Sequence, residues 1–471
     1  MKKYKNILLI STDQHRADAA GIYGNPVIKT PNIDRLGKEG VVFTNAFTCA
    51  PVCGPSRTSI LTGCYPHTHR SNNNDLPIAK GQVTLIDLLN KEGYLTAAVG
   101  KMHFAPPEAA YGLKYKVLTE EGRLPADKDA FQKFLKKNGF GGKERKWDWN
   151  TYHKDFQAVT SPLPEECFDS TFIGNEAVDF IKKKGNNKFF LWASFVGPHL
   201  PFVAPKPFDV MYDPKKVPMP HYHKKEPGSK TQLQKDIYKR FGFNKLNERI
   251  IRKVTAYYYG QISLIDKNIG KIVRQLEEQN LLKNTLIIFT SDHGEMLGDH
   301  KMLWKGPYMY DGIVKIPFIC RMPGTKHKKV NAMISNVDIL PTIMEYLGLP
   351  VPEFVQGKGL SGLVKHGRQE DWREAVFSEL GKSIKMIRTK DWKYVYYYNE
   401  PIRELYNLRK DPYEYHNLAY KKGYGKKCRE MENKLLAWMI DTENKPVKRG
   451  YKIKRTFQDK FKTLYYDKIQ K

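Results

Sequence analysis

The sequence predicts an α/β protein: a large mixed, mainly parallel sheet sandwiched by helices, with a smaller C-terminal subdomain of antiparallel sheet and helix. Three observations carry this. Apolar runs of strand length recur through the chain, and each ends in a polar cluster. One long stretch between them has an apolar residue every three or four positions. After about Trp372 the pattern changes to short β-rich segments separated by turn residues, then a helical run. Continuous apolar runs suit strands buried on both faces of a parallel sheet. Their alternation with helices implies right-handed crossovers.

Taken in order, "NILLIST" (Asn6–Thr12) leads to Asp13-Gln14-His15, and "LTAAVG" (Leu95–Gly100) leads to Lys101-Met102-His103. "FFLWASFVG" (Phe189–Gly197) leads to Pro198-His199. Ile262, Ile265, Ile269, Ile272 and Leu276 then form one helical stripe. "TLIIFTS" (Thr285–Ser291) leads to Asp292-His293-Gly294. In such sheets ligands collect at the carboxyl ends of the strands. A lone histidine after a strand is ordinarily a hydrogen-bonded loop residue; four such ends together predict one shared site. Segments 105–170 and 203–250, rich in Lys, Pro and aromatics, read as long loops or insertions that shape access to it. The division is a catalytic α/β domain over 1–371 and a subdomain over 372–471. The latter has turns at Lys390-Asp391 and Asn399-Glu400-Pro401 and a helix in "CREMENKLLAWMIDTE".

The 471 residues are 41% hydrophobic and 12% aromatic, an ordinary globular composition. Charge is the exception: 79 Lys and Arg against 50 Asp and Glu give +29. Such a balance attracts polyanions, although a solvated lysine-rich surface accounts for it equally. The tail 445–471 is read as such a surface. A non-catalytic polyanion binder would leave the strand-end cluster unexplained, and nucleic acid is not expected as a partner. Six cysteines (Cys49, Cys53, Cys64, Cys167, Cys320, Cys428) are too few for a disulfide scaffold and lack CxxC zinc spacing. The "ILLI" run is too short for a signal-peptide core, and no stretch approaches the ~20 apolar residues of a membrane helix. A cytoplasmic, non-membrane protein is the expectation.

Asp13, Gln14, Asp292 and His293 offer two carboxylates, an amide oxygen and an imidazole from two strand ends. Mostly oxygen donors favour Ca²⁺ or Mg²⁺ over zinc, with His293 weakening that preference. Lys101, His103, His199 and Lys305 add cationic or proton-transferring groups. Arg57, one turn into a helix beginning near Pro55, adds another, and that helix N-terminus itself favours an anion. A metal ringed by Lys, Arg and His suits a tetrahedral oxyanion, which means a sulfate or phosphate ester.

"CGPSRTSILTG", Cys53 to Gly63, resembles the type I sulfatase signature C-x-P-S-R-x-x-x-L-T-G at every fixed position. "GKMH", "GPHLPF", "TSDHGEMLGDH", "LWKGPYMYDGIVKIPFI" and "LYNLRKDPYEYHNLA" are similar to further segments of that family, in the same order. The family is the formylglycine-dependent, Cys-type sulfatases of the alkaline phosphatase superfamily. The resemblance implies that Cys53 is converted to Cα-formylglycine by a formylglycine-generating (sulfatase-maturating) enzyme that reads C-x-P-x-R. It implies a divalent cation, usually Ca²⁺ with Mg²⁺ or Mn²⁺ as alternatives, held by Asp13, Gln14, Asp292, His293 and modified Cys53. Gln14 stands where many members have a second Asp, and His293 where many have Asn. The implied reaction is hydrolysis of a sulfate monoester, with a sulfated carbohydrate as the leading substrate and choline sulfate or an aryl sulfate as others. Arg57 holds the modified side chain, and Lys101 and Lys305 offset charge on the sulfate. His199 serves the leaving alcohol, and His103 takes the proton whose loss expels sulfate. The rival is a phosphonate monoester hydrolase or phosphodiesterase of the same superfamily. Cys49 and Cys64 are read as packing residues. His67, His69, Arg70 and Asn72 to Asp75 either border the pocket or form a loop held by its own hydrogen bonds.

Overall fold

A computed structural model describes residues 5–222, 230–398 and 400–443, so the basic tail 445–471 and Asn399 lie outside the described residues. In chain order the strands are β1 (Asn6–Thr12), β2 (Val41–Phe47), β3 (Leu95–Gly100), β4 (Tyr115–Leu118) and β5 (Val159–Thr160). Then come β6 (Phe189–Ser194), β7 (Val203–Ala204), β8 (Thr285–Ser291), β9 (Phe318–Arg321) and β10 (Lys328–Ser335). The last four are β11 (Ala375–Leu380), β12 (Ile384–Thr389), β13 (Trp392–Tyr397) and β14 (Arg403–Asn407).

Eight of them form the main sheet in the order β10–β2–β9–β8–β1–β6–β3–β4. Every neighbouring pair is parallel except the two made by β9, which runs against both β2 and β8. The strand β1 shows why these runs are apolar throughout. Ile7 and Leu9 pack on one face with Ile60, Leu61 and Leu89, while Leu8 and Ile10 pack on the other with Ile173, Ile265 and Ile269. Those partners lie on helices Cys53–Thr62, Leu85–Lys91, Asp169–Lys184 and Glu248–Glu278. A strand covered on both sides cannot alternate apolar with polar residues. The stripe Ile262 to Leu276 is the buried face of the 31-residue helix Glu248–Glu278, which Asn247 caps through its side chain. No described helix is long and apolar enough to cross a membrane.

The segments 105–170 and 203–250 are more structured than their composition indicates. They hold the edge strand β4 and the helices Ala130–Lys137, Trp149–Lys154 and Gln232–Arg240. Side chains of Asp129, Asp148 and Thr231 accept from the first backbone N–H groups of these helices. These short capping signals outweigh the Lys- and Pro-rich composition between them.

The C-terminal strands β11–β14 form an antiparallel meander. Its two faces are both covered. Met386 and Val395 pack on Phe47 of β2, Met333 of β10 and Met309, whereas Ile387 and Tyr394 meet Met431, Leu435 and Trp438 of helix Gly425–Glu443. A buried charge cluster joins the two parts. Glu379 on β11 accepts from His67 N (2.8 Å) and His67 Nδ1 (2.7 Å) and is paired with Lys385. His67 Nε2 also meets Thr442 Oγ1 at 2.9 Å, so His67 ties the C-terminal sheet and helix to the short helix Pro66–His69.

Burial would push the Glu379 carboxyl upward, but the bonds from His67 and Lys385 outweigh it and lower the group to about 2. A lowered folded value means stability that is present above the unfolded value near 4.5 and is lost as pH falls from about 5 towards 2. The shift corresponds to about 3 kcal/mol. Glu379→Gln is expected to flatten the acid limb of the melting-temperature curve in that window. Parallel acid limbs for variant and wild type would contradict this role.

Candidate active site

Four neighbouring strands, β8, β1, β6 and β3, end side by side, about 5 Å apart. From β1 the chain continues into Asp13 and Gln14, and from β8 into Asp292 and His293. From β3 it runs into Lys101 and, after Met102, His103; His199 lies five residues beyond β6. Gly100 shows how tightly the ends are packed: it has φ +97°, and a Cβ there would lie 1.9 Å from the Ser194 carbonyl oxygen. Only glycine fits that step between strand and lysine.

Helix Cys53–Thr62 approaches these ends with all ten residues buried. It starts at Cys53, two residues earlier than the sequence reading placed it. Pro55 lies in its first turn, where a missing N–H is tolerated. Ser56 Oγ donates to the Asp292 carbonyl (2.6 Å), and the Gly54 N–H donates to Asn74 Oδ1 (3.0 Å). The guanidinium of Arg57 reaches all four strand ends. Nε donates to Asp292 Oδ2 (2.8 Å) and Nη2 to Asp13 Oδ2 (3.2 Å). Nη1 donates to Ser194 Oγ (2.7 Å) and the Lys101 carbonyl (2.5 Å).

The donor atoms of Asp13, Cys53, Asp292 and His293 all lie within 4.8 Å of one another. Cys53 Sγ is 3.5 Å from Asp13 Oδ1 and 3.3 Å from His293 Nε2. Ligands on opposite sides of a Ca²⁺ at 2.3–2.6 Å are separated by about that span. His293 Nδ1 donates to the Gly294 carbonyl (2.9 Å), which leaves Nε2 facing the cluster. Two buried carboxylates, an imidazole nitrogen and a sulfur or its oxygen replacement therefore fit one divalent cation. Burial and the facing Asp13 both push the Asp292 carboxyl upward, a repulsion that a cation between them removes.

Gln14 is arranged differently from the other expected donors. Its backbone has φ +67°, its Nε2 donates to Glu295, and its Oε1 accepts from Lys305 Nζ (3.0 Å). Glu295 thus orients the amide and also binds the Trp304 N–H, next to Lys305. Lys305 Nζ meets His199 Nε2 at 2.6 Å. His199 Nδ1 faces the Leu200 carbonyl (2.6 Å) and Glu121 (3.1 Å). Burial, Lys305 and Lys101 press the His199 value down, yet Glu121 and Asp13 bring it up to about 9. Lys101 Nζ pairs with Asp13 (2.8 Å) and Glu121. His103 N donates to Glu120 (3.0 Å), its ring interacts with the Cys53 thiol, and its Nδ1 is buried with no hydrogen-bond partner among the described residues.

The six cysteines are all unpaired. Burial drives the thiols of Cys49 and Cys320 upward, the ordinary fate of a packed thiol. Cys53 is equally buried, but Lys305, Lys101 and His293 outweigh burial and bring it well below the usual thiol range. His69 is held by Ser59 (2.9 Å) away from this centre. The sequence reading missed Glu120, Glu121 and Glu295. The first two lie in a segment without a family motif. Glu295 stood within a quoted motif, three residues beyond Asp292, and that spacing was the available signal.

A family model described as Sulfatase matches residues 5–349. A second, described as N-sulphoglucosamine sulphohydrolase, C-terminal, matches residues 298–441. The chain is 32% identical to an arylsulfatase of Clostridium perfringens (strain 13 / Type A), over 89% of this chain and 91% of that one. It is 31% identical to a multifunctional alkaline phosphatase superfamily protein of Trinickia caryophylli, over 93% and 95%. Its fold superposes on the phosphonate monoester hydrolase of Agrobacterium radiobacter with a TM-score of 0.82 at 26% identity, covering 93% and 96% of the two chains. With the signature helix, the strand-end donors and the C-terminal sheet all in place, the chain belongs to the sulfatase family.

Proposed function

We propose that the protein hydrolyses sulfate monoesters of a sulfated carbohydrate, through Cys53 oxidised to formylglycine beside a Ca²⁺ ion held by Asp13, Asp292, His293 and the modified residue, with Gln14 alongside. The observation that carries this is the behaviour of Cys53. Unlike the thiols of the equally buried Cys49 and Cys320, its thiol is drawn down, because its sulfur sits at a helix start amid Lys305, Lys101 and His293. A side chain there is placed to bear negative charge.

When present, the cation offsets charge on oxygen, and the oxidised residue supplies a hydrated aldehyde with two hydroxyls in place of the thiol. The remaining work belongs to this chain's own side chains. Arg57 holds Asp13 and Asp292 in position. Lys101 and Lys305 offset charge on the sulfate oxygens. An oxyanion between Lys305 and His199 satisfies two donors that otherwise face each other at 2.6 Å. His199, steadied by Glu121, donates a proton to the leaving alcohol. His103 accepts the proton released at position 53. A formylglycine-generating enzyme is the maturation partner in this proposal. The rival reading, a phosphonate monoester hydrolase, draws on the likeness to the Agrobacterium radiobacter enzyme.

Two measurements test the proposal. Protein co-expressed with a formylglycine-generating enzyme is expected to prefer 4-nitrophenyl sulfate over 4-nitrophenyl phenylphosphonate. Cys53→Ala is expected to lower turnover on the order of 10⁴-fold or more. Preference for the phosphonate would move the function to the rival branch. Separately, Ca²⁺ at a hundredfold excess over its Kd is expected to stabilise the fold by about 2.7 kcal/mol in thermal melts. Asp292→Asn is expected to lose that shift. An undiminished shift in the variant would place the ion elsewhere.

A further inference from the structure

A cleft of about 1080 Å³ has Trp304, the residue before Lys305, in its wall. Lys154, Lys239, Arg240, Lys245 and Arg249 line it, and among the described residues no Asp or Glu does. Arg249 is paired with Asp155 (2.8 Å), but Lys154, Lys239 and Lys245 have no carboxylate partner among the described residues. Aromatic surface lies between these cations. Phe241 is 40% exposed and meets the Trp304 ring edge-on at 5.0 Å, with Tyr152 and Phe156 nearby in the same wall. Two polar atoms of the wall, Gln157 Oε1 and Trp304 Nε1, are buried without a hydrogen-bond partner among the described residues.

One backbone step separates the cleft lining from the catalytic centre. Trp304 lines the cleft, and the next residue, Lys305, contacts Gln14 and His199. Trp304 has φ +67°, a strained conformation for a bulky residue, and Glu295 holds its N–H. That turn sends successive side chains to the cleft and to the reacting centre. Such strain is found where the surroundings impose it for function.

We propose that this cleft binds the continuation of the substrate: a saccharide chain bearing at least one further sulfate or carboxylate beyond the ester that is cleaved. The inference rests on the sulfatase reading above and extends it from a single ester to a polyanionic oligosaccharide. The unpaired lysines and Arg240 take the additional anionic groups, the aromatic faces take sugar rings, and Gln157 and Trp304 offer an acceptor and a donor to hydroxyls.

The test is direct binding, measured by calorimetry with a fully sulfated heparin-type hexasaccharide, its chemically desulfated counterpart and a single-stranded DNA hexanucleotide. The sulfated hexasaccharide is expected to bind with marked salt dependence and tighter than the other two. Lys239→Glu/Lys245→Glu is expected to weaken it about tenfold or more, from the lost attraction at two exposed sites and the repulsion replacing it. A distant pair with the same charge change, Lys283→Glu/Lys365→Glu, is expected to leave binding unchanged, with melting temperatures confirming that both variants fold. Equal weakening by both pairs, or by neither, would overturn the proposal. Equal affinity for the DNA would overturn its assignment to a saccharide. Turnover of 4-nitrophenyl sulfate is scored separately. Its absence, with binding still sensitive to the Lys239/Lys245 pair, would refute the hydrolase reading and leave the cleft assigned.

Discussion

The architecture of the site depends on one buried guanidinium. Arg57 is 1% exposed and donates to groups at the ends of β1, β8, β6 and β3. Removing such a charge from water is expensive, and it is tolerated where its N–H groups find acceptors and opposite charge lies close by. Asp13 and Asp292 provide that charge, while Ser194 and the Lys101 carbonyl complete the set. A lysine, with one compact ammonium, cannot span four strand ends. The pairing is reciprocal. Burial and the Cys53 thiol push the Asp13 carboxyl upward, and Lys101, His199 and Arg57 overcome them and hold it below the usual range. Arg57 thereby fixes the helix start, and with it Cys53, against the donor atoms for the cation.

The same burial bears on maturation. Cys53, Pro55 and Arg57 all lie within a helix whose ten residues are covered. An enzyme that reads these side chains needs them extended and accessible, so the proposed oxidation fits a chain that has not yet folded. In the folded protein the motif is a structural tie, with Arg57 buried among the strand ends. On that proposal Pro55 and Arg57 would serve twice, first as sequence and then as packing.

Much of this was legible in the sequence because its causes are local or repeated. The runs Asn6–Thr12, Leu95–Gly100, Phe189–Ser194 and Thr285–Ser291 are apolar because both sheet faces are covered, and their polar ends announce the site. The stripe from Ile262 to Leu276 exposes the helical period directly. The strand β4, Tyr115–Leu118, was not legible, because an edge strand of four residues with a lysine carries little pattern. Glu121 was hidden for another reason: its meaning comes from Lys101 and His199, which the fold brings to it from two other strand ends. The role of Gln14 was half legible. Its oxygen could be named as a donor, but only the fold shows Glu295 taking the amide N–H and Lys305 meeting the oxygen.

The central claim is that oxygen at position 53, and not sulfur, performs the reaction. Quantitative mass spectrometry of the peptide containing Cys53 tests it most directly, using preparations with graded co-expression of a formylglycine-generating enzyme. The account predicts that sulfate-ester turnover rises in proportion to the fraction of peptide whose thiol has been replaced by an aldehyde, and vanishes when that fraction is zero. Full turnover in a preparation whose Cys53 remains entirely a thiol would contradict it.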